Sequence, residues 1–162
     1  MTTLTRDQAS TALERYLDFW RDMRVEDVPT IKGLVTPDFY FVDPFNEVTS
    51  ADDMVTLLDH MFEVCDDPRF IMKQYGVSDQ SPDDKGHWHG YALWDFSFTP
   101  KRGNTINIEG MTALTMTADG VMAAHIDHWD TGQQVLRKIP VLGGMVNAIF
   151  GKMAAAKRLR RP

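Results

Sequence analysis

The stretch GMTALTMTADGVMAAHIDHW, residues 110–129, places two strand-like segments around Asp119-Gly120. Both turn residues tolerate positive φ, so the pair reads as a two-residue hairpin turn. If Ala118 faces Val121, then Leu114 lies opposite His125, Thr112 opposite Asp127 and Gly110 opposite Trp129, all on one face of the sheet. The bare Gly110 would leave room for the Trp129 indole. One sheet face therefore collects a histidine, a carboxylate and an indole.

Working outward, strand-like segments cover residues 70–78, 87–99, 105–117 and 121–129, with turn-rich breaks at Ser81-Pro82-Asp83-Asp84 and Pro100-Lys101-Arg102-Gly103-Asn104. Upstream, Thr5-Arg6-Asp7-Gln8 is a capping box. Behind it Ala9, Leu13, Tyr16, Trp20 and Met23 recur at helical steps, which predicts a helix over 7–24 with Tyr16 on its buried stripe. A short helical piece is expected over 27–35, with Pro29 in its first turn and Thr36-Pro37 ending it. Residues 39–42 favour a strand, and period two puts Phe39, Phe41 and Asp43 on one face, with Asp43 held extended by Pro44. Ser50 starts another helix whose stripe of Met54, Leu57, Leu58, Met61, Phe62 and Cys65 should be buried, with His60 off the stripe as a solvated surface histidine.

Beyond residue 130 the pattern is helical but interrupted by Pro140 and Gly143-Gly144, so a short helix, a break and a second helix are expected. The whole reads as one domain, with a core of about 5–130 and a C-terminal helical extension over 131–162. Helices packed on one side of a curved, mostly antiparallel sheet make an α+β half-barrel whose concave face can enclose a ligand.

Composition supports a single packed domain: 162 residues, 43% apolar and 25% charged, exclude disorder for most of the chain. Seventeen Lys and Arg against 23 Asp and Glu give a net charge of -6, which disfavours nucleic acid as a partner. The single cysteine, Cys65, cannot close an intramolecular disulfide, no secretory leader is evident, and no apolar run is long enough to span a membrane. The cytoplasm is the expected compartment.

Asp43 is the first candidate for chemistry, because its strand face otherwise carries Phe39 and Phe41. A carboxylate in an apolar setting is poised to take a proton next to a carbonyl and return it elsewhere. The competing reading has Asp43 cap the turn at Pro44-Phe45-Asn46. His125 and Asp127 form a second acid/base candidate, able to orient each other, with Trp129 as an apolar wall; the competing reading is a structural hydrogen-bond network. Tyr16 could donate a phenolic hydrogen bond to an oxyanion, or simply fill core. Trp88, Tyr91, Trp94, Phe96 and Phe98 suit either a pocket for a flat apolar ligand or ordinary sheet packing. His87 and His89 share a face, but no ligand spacing supports a metal. The basic tail Lys152, Lys157, Arg158, Arg160, Arg161, behind an apolar stretch, reads as a solvated helix end rather than a membrane-surface contact.

Tyr16 within Leu13-Glu14-Arg15-Tyr16-Leu17, the Val42-Asp43-Pro44-Phe45 turn, the Ser50 helix start and the hairpin ending at Trp129 together resemble ketosteroid isomerase and the nuclear-transport-factor-two-like superfamily, which includes SnoaL-like cyclases. The match runs in order from about Thr5 to Asp130. The resemblance implies a cystatin-like conical half-barrel, a homodimer, no cofactor and a small hydrophobic ligand. It makes Asp43 the general base and Tyr16 the oxyanion-binding tyrosine, and it places Phe39, Phe41, Leu58, Trp94, Phe96, Ile108, Gly110, Thr112 and Trp129 around the pocket. Thr112 stands where the isomerase has a protonated aspartic acid, Leu58 where a tyrosine supports the first donor, and His125 and Asp127 where it is apolar. The expectation is therefore SnoaL-like isomerase or cyclase chemistry on a hydrophobic carbonyl compound other than a steroid. The alternatives are a binding module of the same fold, or epoxide hydrolysis as in limonene epoxide hydrolase. The latter generally uses an acid–Arg–acid set, and no arginine lies on the predicted pocket face.

Overall fold

The computed structural model describes residues 4–138 and 142–153, without the side chains of 151–153. It divides into two compact units that meet between Trp129 and Asp130.

In the first unit, helix α1 (Arg6–Asp22) starts at the predicted capping box: Gln8 N donates to Thr5 Oγ1 at 3.3 Å and Thr5 N donates to Gln8 Oε1 at 2.9 Å. Its buried face holds Ala9, Leu13, Tyr16 and Trp20, and widens to include Leu17 and Phe19. The next helical piece is a 3-10 helix, Val25–Gly33, rather than a segment reaching residue 35. Pro29 lacks an N–H and its neighbours Val28 and Ile31 are β-branched, which weakens an α-helix here. Val35 already belongs to strand β1 (Val35–Val42), where it pairs with Met122 and is 4% exposed. After the short strand β2 (Glu47–Val48), helix α2 (Ala51–Val64) begins at Ser50, whose Oγ accepts from Asp53 N at 3.0 Å. Only Ala51, Met54 and Leu58 of α2 are fully buried; Leu57, Met61 and Phe62 are half-buried.

Strands β3 (Cys65–Val77), β4 (Trp88–Pro100), β5 (Ile106–Met116) and β6 (Met122–His128) complete one curved six-stranded sheet in the order β2-β1-β6-β5-β4-β3. Every pairing is antiparallel except β1 with β6. Trp88, Ala92 and Trp94 of β4 and Ile108, Thr112, Leu114 and Met116 of β5 alternate toward the core on one face.

The hairpin register holds where it was read from the pattern: Leu114 pairs with His125 and Thr112 with Asp127. The turn itself differs. Gly120 N donates to Thr117 O at 3.0 Å and Thr117 N to Val121 O at 2.8 Å, so three residues, 118–120, form the loop, with Gly120 at φ 83. The shifted count is undone by a bulge, because Thr115 pairs with Ala124 but Met116 with Met122, leaving Ala123 as the extra residue. Met122 and His125 can then both point inward, at 1% and 5% exposure, although they are three residues apart.

Gly110 makes room for a different indole from the one expected. It pairs directly with Trp94, and a Cβ on Gly110 would lie 2.3 Å from Cη2 of that ring. Trp129 lies beyond the end of β6 and has no such contact with Gly110. The cross-strand neighbour on β4 is closer than the residue at the frayed end of the hairpin, so it takes the space.

The second unit consists of α3 (Thr131–Gln134), a 3-10 turn Leu136–Lys138 and α4 (Leu142–Met153). Asp130 caps α3 by accepting from Gln133 N at 2.8 Å. Gly143 and Gly144 lie in the first turn of α4, not in a break, and a Cβ on Gly143 would meet Arg137 O at 2.3 Å. Pro140, Lys157, Arg158, Arg160 and Arg161 lie outside the described residues. Among the described residues no helix is long and apolar enough to cross a membrane.

Gly110→Ala should destabilise the protein by about 1–3 kcal/mol, because the added methyl displaces the Trp94 ring from a packed site. A urea midpoint equal to that of the parent would show that the ring is not seated on the glycine.

Candidate functional site

The concave side of the sheet and the adjoining face of α2 enclose a cavity of about 340 Å³. Eight aromatic rings line it: Trp20, Phe41, Phe45, Phe70, Trp94, Phe96, Phe98 and Trp129. Phe70 stacks on Phe96 at 4.2 Å between centroids, Phe96 on Phe98 at 4.9 Å, and Phe45 meets Trp129 edge-on at 5.4 Å. From α2 come Met54, Leu57, Leu58 and Met61, and Ile108 comes from β5. The polar members of the lining are Asp43, Asn46, His60 and Asp127, together with the thiol of Cys65.

Six of the nine expected wall residues are therefore on the cavity: Phe41, Leu58, Trp94, Phe96, Ile108 and Trp129. Phe39, Gly110 and Thr112 are not. Phe39 is 0% exposed and packs in the core, Gly110 lies under Trp94, and Thr112 sits behind Asp127. Tyr16 and His125 are likewise buried away from the cavity wall. His60, read as a surface side chain, is exposed as expected but stands on the cavity lining. The expected buried stripe of α2 instead faces the cavity with five of its six residues, Met54, Leu57, Leu58, Met61 and Cys65. Trp20 is legible as inward from its helical stripe, with no signal to say whether it meets a neighbour or a hollow, and Phe70 carries no facing signal at all.

The polar residues on the hairpin form a connected chain. Trp94 Nε1–H donates to Thr112 Oγ1 at 2.7 Å, and the Thr112 hydroxyl donates to Asp127 Oδ1. His125 Nε2 lies 2.9 Å from the same Oδ1, and Tyr16 Oη lies 2.8 Å from His125 Nδ1. A carboxylate only accepts, so His125 Nε2–H donates to Asp127, and the Tyr16 phenol, held well above its ordinary range first by burial, keeps its proton beside Nδ1.

Asp127 has a side chain only 11% exposed and lies on the cavity wall. Its Oδ1 takes both hydrogen bonds of the chain, while Oδ2 has no hydrogen-bond partner among the described residues. Asp43 is bound differently. Its Oδ1 accepts from Phe45 N and Asn46 N, both at 2.7 Å, and from Asn46 Nδ2 at 3.0 Å; its Oδ2 accepts from the same amide at 3.0 Å. Asp43 is thus the cap of its turn as well as part of the wall. Asp43 directly follows β1 and lines the same cavity as Asp127.

Cys65 is an unsuitable nucleophile, because burial, then the Asp66 charge, push its thiol up. His89 bonds Asp83 at 3.1 Å and Thr115 at 3.3 Å on the opposite face of the sheet from His125, which separates it from His125 and Asp127. Among the described residues no cluster of three or more His, Cys, Asp or Glu has metal-ligating geometry.

Tyr16→Phe should cost about 1–3 kcal/mol near neutral pH by leaving His125 Nδ1 buried without its hydrogen-bond partner. The unfolded phenol ionises near 10 and the folded one only well above, so this advantage of the parent is complete below pH 10 and falls as pH rises beyond it. Urea melts of both proteins across that range check the sign; a gap that widens with alkalinity would contradict it.

The family model for the SnoaL-like domain matches residues 13–125, about seven-tenths of the chain. No curated protein matches. Solved structures share the fold. An LEH-like epoxide hydrolase from M. tuberculosis superimposes with a TM-score of 0.62 at 15% identity, over 93% of this chain and 96% of that one. A SnoaL-like polyketide cyclase candidate from Jannaschia sp. CCS1 gives 0.61 at 13% identity, over 78% and 91%. An NTF2-like protein of unknown function from Exiguobacterium sp. 255-15 gives 0.59 at 16% identity, over 74% and 98%. These likenesses concern the fold alone. With the α+β sheet-and-helix architecture and the matched span together, the chain belongs to the SnoaL-like domain family.

Proposed function

We propose that the protein is an enzyme that moves a proton on a hydrophobic, carbonyl-containing substrate held in the aromatic cavity, with Asp127 as the proton acceptor. The observation that carries this reading is the asymmetry of the Asp127 carboxylate: one oxygen is tied to His125 and Thr112, and the other, on a largely aromatic wall, has no hydrogen-bond partner among the described residues. An oxygen fixed in place and short of water is a more effective base toward a C–H bond than one in solution. Asp127 Oδ2 takes the proton from the carbon next to the carbonyl, the electron pair moves into the enolate, and the proton returns at another carbon. The outcome is isomerisation, or ring closure where the enolate carbon attacks a second carbonyl. His125 and Tyr16 are positioning residues in this scheme, since neither reaches the cavity. Asp43, which resemblance would make the base, acts instead as a turn cap and a second wall carboxylate. The same reading keeps a homodimer, for which Ile71, Tyr91 and Met111, exposed on the outer face of the sheet, offer an apolar area.

One observation favours a second reading, a non-catalytic ligand-binding module: backbone N–H groups occupy Asp43 as they would in a purely structural turn. Epoxide hydrolysis has less support, because among the described residues no arginine lines the cavity.

Exchange of α-hydrogens with D2O separates these readings without knowledge of the natural substrate. With bicyclic ketones such as 2-tetralone followed by mass spectrometry, the parent protein should accelerate exchange over buffer. Asp127→Asn, which retains an acceptor for Thr112 and His125, should lose about 100-fold or more of that acceleration. Equal rates for parent and variant would overturn the assignment of Asp127, and binding without exchange across the ketones would favour the binding module.

A further inference from the structure

Among the described residues, the wall of the cavity carries two carboxylates and no lysine or arginine. Its one basic side chain, His60, is 65% exposed and lies 3.5 Å from Glu63. Asp127 is paired with Thr112 and His125, and Asp43 with N–H groups of its own turn; among the described residues no lysine or arginine is paired with either. Both acids line the same hollow, so their fields add across it. Around them the rings of Trp20, Trp94, Trp129 and Phe45 present π faces or edges, and π faces attract cations. An apolar guest with no charge would fit the rings and gain nothing from the acids. An anionic guest would be repelled.

We infer that the cavity selects a guest in which a cationic nitrogen, a protonated or quaternary amine, is attached to a hydrophobic body of aromatic-ring size. This rests on the cavity being the ligand site, as the proposed function also requires, and it adds the sign of the charge that the site accepts. The cation stands between Asp43 and Asp127 near the Phe45–Trp129 pair, while the hydrophobic body lies against Trp94 and Phe96. Desolvating an ammonium group is costly, so a cationic guest outcompetes a neutral one of identical shape only where carboxylates and ring faces replace the lost water.

A matched pair of probes tests this: 4-(trimethylammonio)phenol and 4-tert-butylphenol, which have nearly the same shape and differ by one positive charge. Each is titrated into the full chain and followed by the indole N–H resonances of the four tryptophans. Trp20, Trp94 and Trp129 line the cavity and Trp88 does not, so Trp88 is the internal control. The expected result is shifts at the three cavity indoles, with the cation bound about tenfold tighter or more. Asp43→Asn and Asp127→Asn each retain the local acceptor oxygen and should each weaken the cation several-fold, and the double variant should erase the preference. The affinity for 4-tert-butylphenol should stay the same throughout, which shows that the variants are folded. Equal or tighter binding of the neutral probe, or a preference that survives in the double variant, overturns the charge assignment and leaves the cavity as a ligand site. Binding of neither probe overturns both. A cation preference without ketone exchange overturns only the proposed catalysis.

Discussion

A carboxylate held among aromatic rings is the constraint around which this fold is arranged. Removed from bulk water, the charge of Asp127 is tolerable only if hydrogen-bond donors take the place of solvent. Two donors converge on its Oδ1, from Thr112 on β5 and His125 on β6, and each is itself oriented by a further partner. Trp94 on β4 supplies the N–H that leaves the Thr112 hydroxyl free to donate. Tyr16 on α1 supplies the hydroxyl that fixes the His125 ring from its Nδ1 side. Three strands and one helix must be in register for the chain to close, so the site and the packing of α1 on the sheet are one structural event.

The same chain explains why Tyr16, which looks catalytic by resemblance, is not in contact with the hollow. Tyr16 occupies the helix position expected of an oxyanion donor, but its hydroxyl is spent on His125. Once a histidine replaces an apolar residue at 125, it offers a nearer partner than any substrate could. Thr112 is likewise a donor to Asp127 rather than to a guest. The carboxylate that reaches the cavity is that of Asp127, at the end of the chain that the others hold in place.

Much of this was legible in the pattern of residues, for physical reasons that also mark its limits. The capping box and the i, i+4 stripe of α1 are local, and they form as read. The pairings of Leu114 with His125 and Thr112 with Asp127 follow from alternation, because a slip by one would turn a buried row out to solvent. The turn was misread by one residue, since the bulge at Ala123 compensates within the strand and keeps Met122 in the core, an adjustment that no local signal announces. Val35 joined a strand because a long-range partner, Met122, was available, and a helical reading of residues 27–35 could not anticipate it. Periodicity also reports that a face is apolar without reporting whether it meets a neighbour, so Leu57 and Met61 looked like core while Phe39, which is core, looked like wall. Asp43 had two readings on local grounds; the hydrogen bonds of its turn realise the structural one and its place on the wall leaves room for a role beside it.

The hollow itself is evidence that packing density was not the quantity being optimised. Unfilled apolar volume forgoes stabilisation at about 24 cal/mol per Å³, which for 340 Å³ is on the order of 8 kcal/mol as an upper bound, since the space opens to solvent past the exposed Phe45. That is comparable with the whole net stability of a typical domain. Larger side chains at Leu57, Met61 or Ile108 would recover part of it without disturbing the hydrogen-bond chain behind Asp127. The rings instead brace one another, with Phe70, Phe96 and Phe98 stacked along the sheet and Phe45 set edge-on against Trp129, so that the walls stand without being filled. A wall that is self-supporting, together with a carboxylate whose only open oxygen belongs to that wall, is the arrangement expected where a guest supplies the missing contacts.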